Sequence, residues 1–307
     1  FSMLFVTLED ANLSRMESAL ALLILRSLDQ LEAEIIAWNL DGTGSDEAVQ
    51  AELMQALEDD ADQGAVDEYE DDEEGISEAL DLALTDQLYG GLGAFLLALQ
   101  TGEAELLEVA RAELEDGLDA AAELNLVPQW WCFRLTLQLL DDLWGSSFHV
   151  VLPTNPPEGD GEAWQQLRRL FIATLFGRKR SEIELWPSQI DAAHRSVDST
   201  DNLVVSLPTS AGKTRVAELC ILKCLSEGRR VVFVTPLRAL SAQTETGLQR
   251  TFGPLGKTIS ALYGSIGTSG FEEDALKTRH IVVATPEKLD FALRNDPTIL
   301  DDVGLVV

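Results

Sequence analysis

The sequence predicts an α/β protein in two parts, an all-helical acidic domain followed by a parallel doubly wound sheet. Three observations carry that expectation. The charge is split along the chain: residues 1–165 hold 37 acidic side chains against 4 arginines and no lysine, a net −33, whereas residues 166–307 hold 16 acids against 18 bases, a net +2. The apolar pattern changes near Asp198 from helical spacing to short continuous runs. A single segment at 203–225, LVVSLPTSAGKTRVAELCILKCL, reads as strand, tight loop and helix in direct succession. The length of 307 residues accommodates about two domains of roughly 100–200 residues each.

Taken in order, Leu13, Met16, Leu20, Leu23, Ile24, Leu28, Leu31, Ile35 and Trp38 recur at helical spacing, which predicts one long amphipathic helix or two short ones. Residues 41–75 contain the run DEYEDDEEG and read as a solvated, disordered acidic insertion, because like charges at this density repel and bury little. Helical patterns follow at about 76–88, 91–100, 103–124 and 128–145, punctuated by Gly90-Gly91, Gly102 and Pro128. The aromatic cluster Trp130, Trp131, Phe133 and Trp144 lies among leucines and is expected in the core of this helical domain, 1–151. LPTNPPEGDG, within a linker at 152–161, marks the boundary, and the second domain is expected over 162–307, opening with a helix at about 162–177.

In the second domain, apolar runs at 203–206, 231–235, 259–263, 281–284 and 304–307 alternate with helical stretches at 213–226, 238–251 and 286–294. Continuous Val/Ile-rich runs between helices predict strands covered on both faces, hence a parallel sheet. The composition, 46% hydrophobic and 24% charged, excludes a chain disordered throughout, a collagen and a coiled coil. The three cysteines, Cys132, Cys220 and Cys224, stand at no disulfide-framework or zinc spacing, so a reducing cytoplasm is expected. No run approaches the ~18 consecutive apolar residues of a membrane span. The chain opens on Phe1 and closes inside the apolar run at 303–307, which reads as a piece of something longer.

In PTSAGKT, backbone N–H groups around Ser210 to Lys213 would converge on an anion at the positive end of the following helix. Lys213 would reach the β- and γ-phosphates of a nucleotide, and Thr214 would give its hydroxyl to Mg²⁺. Leu207 stands where the general GxxxxGKT pattern has its first glycine.

With that departure, PTSAGKT at 208–214 resembles motif I of superfamily 2 helicases, specifically the superkiller-like branch of DExH-box proteins. LWPSQIDAA at 185–193 resembles that branch's Q motif, with Gln189 lying 24 residues before Lys213. TPLRALSAQ at 235–243 resembles motif Ia, YGS at 263–265 the glycine-containing segment after the next strand, and TPEKLD at 285–290 motif Ib. The resemblance covers about residues 183–307 and implies a RecA-like, P-loop NTPase domain. It implies ATP and Mg²⁺ as cofactors, held by Gln189 on the adenine edge and by Pro208, Thr209, Ser210, Ala211, Gly212, Lys213 and Thr214, with Lys213 and Thr214 in the catalytic roles. It implies single-stranded DNA or RNA across Pro236, Arg238, Gly264, Thr285, Pro286 and Lys288, gripped through phosphates in a salt-dependent way.

In that branch the strand corresponding to GLVV is followed at once by DExH, so the 307-residue chain is expected to bind nucleotide weakly at most and not to turn it over. Two alternatives stay open: a P-loop NTPase that does not act on nucleic acid, which leaves TPLRAL and TPEKLD unexplained, and a nucleotide-binding scaffold whose acidic helical half recruits a protein partner, for which no residue in 1–165 is specific.

Overall fold

The computed structural model describes residues 13–42, 69–155, 159–198, 200–208, 211–262 and 277–307. Most of the acidic insertion, and with it Thr209, Ser210, Gly264 and the whole of YGS, lies outside the described residues. By backbone contacts the chain divides into one unit of residues 1–144 with 177–182 and a second of residues 145–176 with 183–307. Residues 145–151, assigned from sequence to the helical half, fold with the second unit. The reason is burial: Phe148, Val151 and Leu152 share a core with Trp164 and Phe171.

The first unit is helical. Helices α1 (Arg15–Leu25) and α2 (Leu28–Asp41) are two short helices, separated at Arg26, whose backbone turns left-handed (φ 61°). Its guanidinium donates to the carbonyls of Leu23 and Ile24 at 2.8 and 3.1 Å, satisfying acceptors that the ending helix leaves open. Ser14 and Glu17 form a reciprocal capping box at the start of α1. Helix α3 (Tyr69–Thr101) then runs unbroken for 33 residues. This corrects two expectations, since residues 69–75 are helical rather than disordered and Gly90-Gly91 does not interrupt.

The glycine is used for packing instead of for a turn. Helix α3 lies along α4 (Ala104–Glu123), and a Cβ on Gly91 would come within 2.7 Å of Leu114 Cγ. Helix α5 (Val127–Gly145) fits by the same device, with the Phe133 ring filling the space where a Gly117 side chain would stand, 2.3 Å from its Cβ position. Within α3, Ala79–Thr101 is long and apolar enough to cross a bilayer. Leu88, Leu92, Phe95 and Leu99 are buried in this unit, as in a core helix. Phe133 is in the core as expected, but Trp131 is half exposed and meets Trp130 edge to face at 4.9 Å.

The second unit opens with the short helix α6 (Phe148–Val151), then α7 (Gly161–Phe176) and α8 (Pro187–Ser196). Helix α9 (Lys213–Ser226), strand β1 (Arg230–Val234), α10 (Arg238–Phe252), β2 (Ile259–Ala261), β3 (Ile281–Ala284), α11 (Pro286–Asn295), a 3₁₀ turn at Pro297–Leu300 and β4 (Val303–Val306) follow. All pairings are parallel, in the order β2-β3-β1-β4. Val231, Ile281 and Val283 face the larger core under α7, α9 and α10, while Val282 and Ala284 face a smaller one with Ala292 and Ile299. Burial on both faces is why these strands read as continuous apolar runs.

One expected strand is absent from the described sheet. Residues 203–206 pair with no strand, and Val204 is 91% exposed. Strand β4 pairs with β1 alone, so the run LVVS has β propensity but no described neighbour to complete its hydrogen bonds.

Candidate nucleotide site and nucleic-acid edge

The phosphate loop ends on Gly212, whose φ of +76° is the left-handed region that favours glycine. That turn opens α9 with Lys213 and Thr214 exposed in its first turn, where the helix dipole presents positive charge. Lys213 donates from Nζ to the carbonyls of Leu207 and Pro208 at 2.8 and 2.9 Å, and the Ala211 N–H donates to Pro208 O at 3.3 Å. The ammonium therefore curls onto its own loop, and a phosphate there would replace two carbonyls with a charged acceptor.

Gln189 is brought to this loop directly. It is 6% exposed, its Oε1 accepts from the Trp186 N–H at 2.8 Å, and its Nε2 donates to the Gly212 carbonyl at 3.1 Å. A Cβ on Gly212 would stand 1.8 Å from Nε2, so glycine is required here for space as well as for backbone angle. Gln189 is thus adjacent to the loop, with both ends of its amide engaged within the chain.

Two residues that sequence reasoning passed over hold α9 in place. Glu218, buried, accepts from Arg215 at 2.5 Å through one carboxylate oxygen and from the Thr251 hydroxyl at 2.8 Å through the other. The Arg215 guanidinium lies over the rings of Phe148 and Phe171, at 5.7 and 5.9 Å from their centroids. The only signal in the sequence was an opposite-charge pair at i, i+3, which usually marks a solvated helix face.

The segments TPLRAL and TPEKLD come together through sheet register. Val234 pairs with Ala284, and the Thr235 N–H donates to Ala284 O at 2.9 Å, so Thr235-Pro236 and Thr285-Pro286 leave adjacent strands side by side. Each turn then opens a helix, α10 at Arg238 and α11 at Pro286. Pro236, Leu237, Arg238 and Pro286 are exposed, whereas the Thr235 and Ser241 hydroxyls bond each other at 2.6 Å inside. Thr285 stands at the N-cap position of α11, with no side-chain cap bond, and is 8% exposed. Lys288, expected as a phosphate contact, is 6% exposed, because it shares the buried i, i+4 face of α11 with Ala292. Arg238 is the exposed cation among the residues expected at this edge.

The nucleotide loop lies at the same end of the sheet. Helix α9 packs on β1 and β4 and returns through Gly228 to the start of β1, so its N-terminus stands toward the end of β1 where Thr235 emerges. Ligands of open parallel sheets bind at that carboxyl edge.

Residues 186–307 match the DEAD/DEAH box helicase family. The chain is 30% identical over 240 residues to the Hachiman protein HamB of Bacillus cereus, across 77% of this chain and 21% of that protein. It is 35% identical over 131 residues to the ATP-dependent DNA helicase Hel308 of Thermococcus kodakarensis, covering 42% of this chain and 11% of the relative. It is 38% identical over 106 residues to Hel308 of Thermoplasma acidophilum, covering 34% and 15%. The chain thus spans about a fifth or less of the length of these relatives. The helices that precede a parallel sheet agree with these matches: the chain has an α/β, RecA-like fold preceded by helices, and its residues 186–307 are similar to DEAD/DEAH box helicases.

Proposed function

We propose that the protein is an ATP-dependent helicase or translocase of the superkiller-like DExH branch, acting on single-stranded DNA. The observation that carries the reading is the shared sheet edge: a lysine-bearing helix N-terminus at Lys213 and two paired strand exits at Thr235 and Thr285 all face one way. The names of the Hel308 relatives favour DNA over RNA.

The residues fit Mg²⁺ and ATP, since Gly212 frees the first turn of α9 and leaves the Lys213 ammonium and the Thr214 hydroxyl exposed. Bound MgATP would supply the phosphoryl group whose transfer to water drives movement. Lys213 would exchange the Leu207 and Pro208 carbonyls for the phosphates, Thr214 would offer its hydroxyl to the metal, and the Gln189 amide would exchange an internal partner for the adenine edge. Backbone amides after Pro236 and Pro286, with Arg238, hold phosphates of the strand without reading its sequence. A reducing, cytoplasmic setting is part of the proposal, since Cys132, Cys220 and Cys224 stand at no disulfide-framework spacing. A protein partner on the acidic helical unit is part of the same proposal.

The test is paired titration of the 307-residue chain. Lys213→Ala abolishes measurable ATP binding and leaves affinity for oligo-dT unchanged, while Arg238→Ala weakens oligo-dT and lowers its salt slope by about 0.7. Equal loss of both ligands in each variant refutes two separate subsites.

A further inference from the structure

We propose that the outer face of α5 docks an amphipathic helix of a partner protein, apolar on one side and lined with lysine and arginine, which rests on the partner reading given above for the acidic unit. Helix α5 has two apolar faces, and only one is used within the chain. Cys132, Phe133, Leu137, Leu140 and Leu143 are buried in the first unit. On the opposite side Val127, Trp131 and Leu135 recur at i, i+4 and i+8 and are all exposed, with Leu124 exposed just before them. Single exposed leucines are ordinary, but these four stand close together in sequence, and they are four of the eight large apolar side chains exposed among the described residues of this unit.

The face is held in place as well as exposed. Trp131 is 51% exposed, and Trp130 braces its ring edge to face at 4.9 Å. On the inner side the Phe133 ring fills the space at Gly117 and fixes α5 on α4. The link between these helices is tight: Asn125 turns left-handed at φ 54°, and the Leu126 N–H donates to the Ala121 carbonyl at 2.9 Å. A large aromatic side chain positioned before binding loses little entropy when it is covered, which is what an interface anchor requires.

The charge around this face selects the occupant. Helices α4 and α5 carry nine acidic side chains against two arginines, and one of these, Arg111, is already paired with Asp141. Along α4, Glu113, Asp116 and Glu123 are exposed. Nucleic acid, an anionic membrane surface and a second copy of this chain, at net −31, are all repelled by such a field. A cationic polypeptide is attracted to it. Its charges steer the encounter, and its apolar side chains, repeating at helical spacing, match the stripe from Val127 to Leu135.

The probe is a leucine–lysine peptide of about 14 residues, roughly four helical turns, with its leucines on one face. It is titrated calorimetrically into the 307-residue chain beside a permuted peptide of the same composition. The amphipathic peptide binds more tightly than the permuted one, and added salt weakens it. Trp131→Ala lowers its affinity at least about fivefold, the loss that marks an interface anchor, and Leu135→Ser lowers it too. Ile36→Ser, at an exposed apolar residue of α2, leaves it unchanged. Trp131, Leu135 and Ile36 are all exposed, so the three variants keep the thermal midpoint of the parent. Equal affinity in the parent, Trp131→Ala and Leu135→Ser, or equal binding of the two peptides, overturns the docking face and leaves a partner elsewhere on the acidic unit standing. A parent chain that binds neither peptide overturns both. A Trp131-dependent affinity for oligo-dT, for phosphatidylserine vesicles or for a second copy of the chain in sedimentation also overturns it, and names that ligand as the occupant.

Discussion

Placing a methyl group on Gly212 tests the union of phosphate loop and Q-motif helix most directly. Gly212→Ala forces a β-carbon into a backbone at φ +76°, which costs about 1–2 kcal/mol for an L-residue. It also drives that carbon to within 1.8 Å of Gln189 Nε2, so the buried amide must leave the Gly212 carbonyl and lose its partner, at about 1–3 kcal/mol. The single variant is therefore destabilised by about 2–5 kcal/mol. Gln189→Ala alone loses the amide contacts but removes the obstacle. In that background Gly212→Ala costs the backbone portion only, which leaves a coupling of about 1–3 kcal/mol between the two sites. Urea unfolding of the four proteins, at equal m-values, measures it. Strict additivity would mean that Gln189 and Gly212 do not meet, and the site geometry built on their contact would fall with it.

Three further outcomes follow from other contacts. Glu218→Ala leaves the Arg215 guanidinium without its carboxylate in a buried setting and lowers stability by about 3–5 kcal/mol by urea unfolding, far beyond a surface ion pair; a loss under 1 kcal/mol contradicts the buried network. Gly117→Ala overpacks the Phe133 ring and costs about 1–3 kcal/mol by the same measurement, whereas a Phe133→Leu background accepts the methyl more readily. His280 is held below its usual 6.5, by burial first and then by Lys257, and its Nδ1 accepts from the Thr258 N–H at 3.1 Å. A depressed folded value means that the unfolded chain takes the proton first, so the contribution is present above pH 6.5 and is lost as pH falls below it. Thermal midpoints from pH 7.5 to 5.5 drop less steeply in His280→Gln than in the parent chain.

The parts of this fold legible from sequence are those in which neighbouring residues decide the outcome. Lys213 opens α9 at the predicted residue, and the runs at 231–235 and 281–284 became paired strands within a residue, because Val-rich runs between helices have few other folded forms. What escaped depends on residues far away in the chain. Gly90-Gly91 reads as a break until Leu114 arrives to fill the missing side chain. Lys288 reads as a surface cation until the register of α11 turns it inward with Ala292. LVVS at 203–206 has every local mark of a strand, and local marks supply no partner. At the site, Gly212, Lys213 and Thr214 were read from spacing, while Glu218 was passed over because its second acceptor role needs Thr251, 33 residues on.

That single carboxylate has a mechanical meaning. With one oxygen on Arg215 in the first turn of α9 and the other on Thr251 near the end of α10, Glu218 pins together the helix that begins at Lys213 and the helix that begins at Arg238. The two helices are yoked at one buried rivet, like the blades of shears at their pivot. A tilt of α9 must swing α10 with it or break a hydrogen bond to a carboxylate, and the far end of α10 is the turn at Arg238.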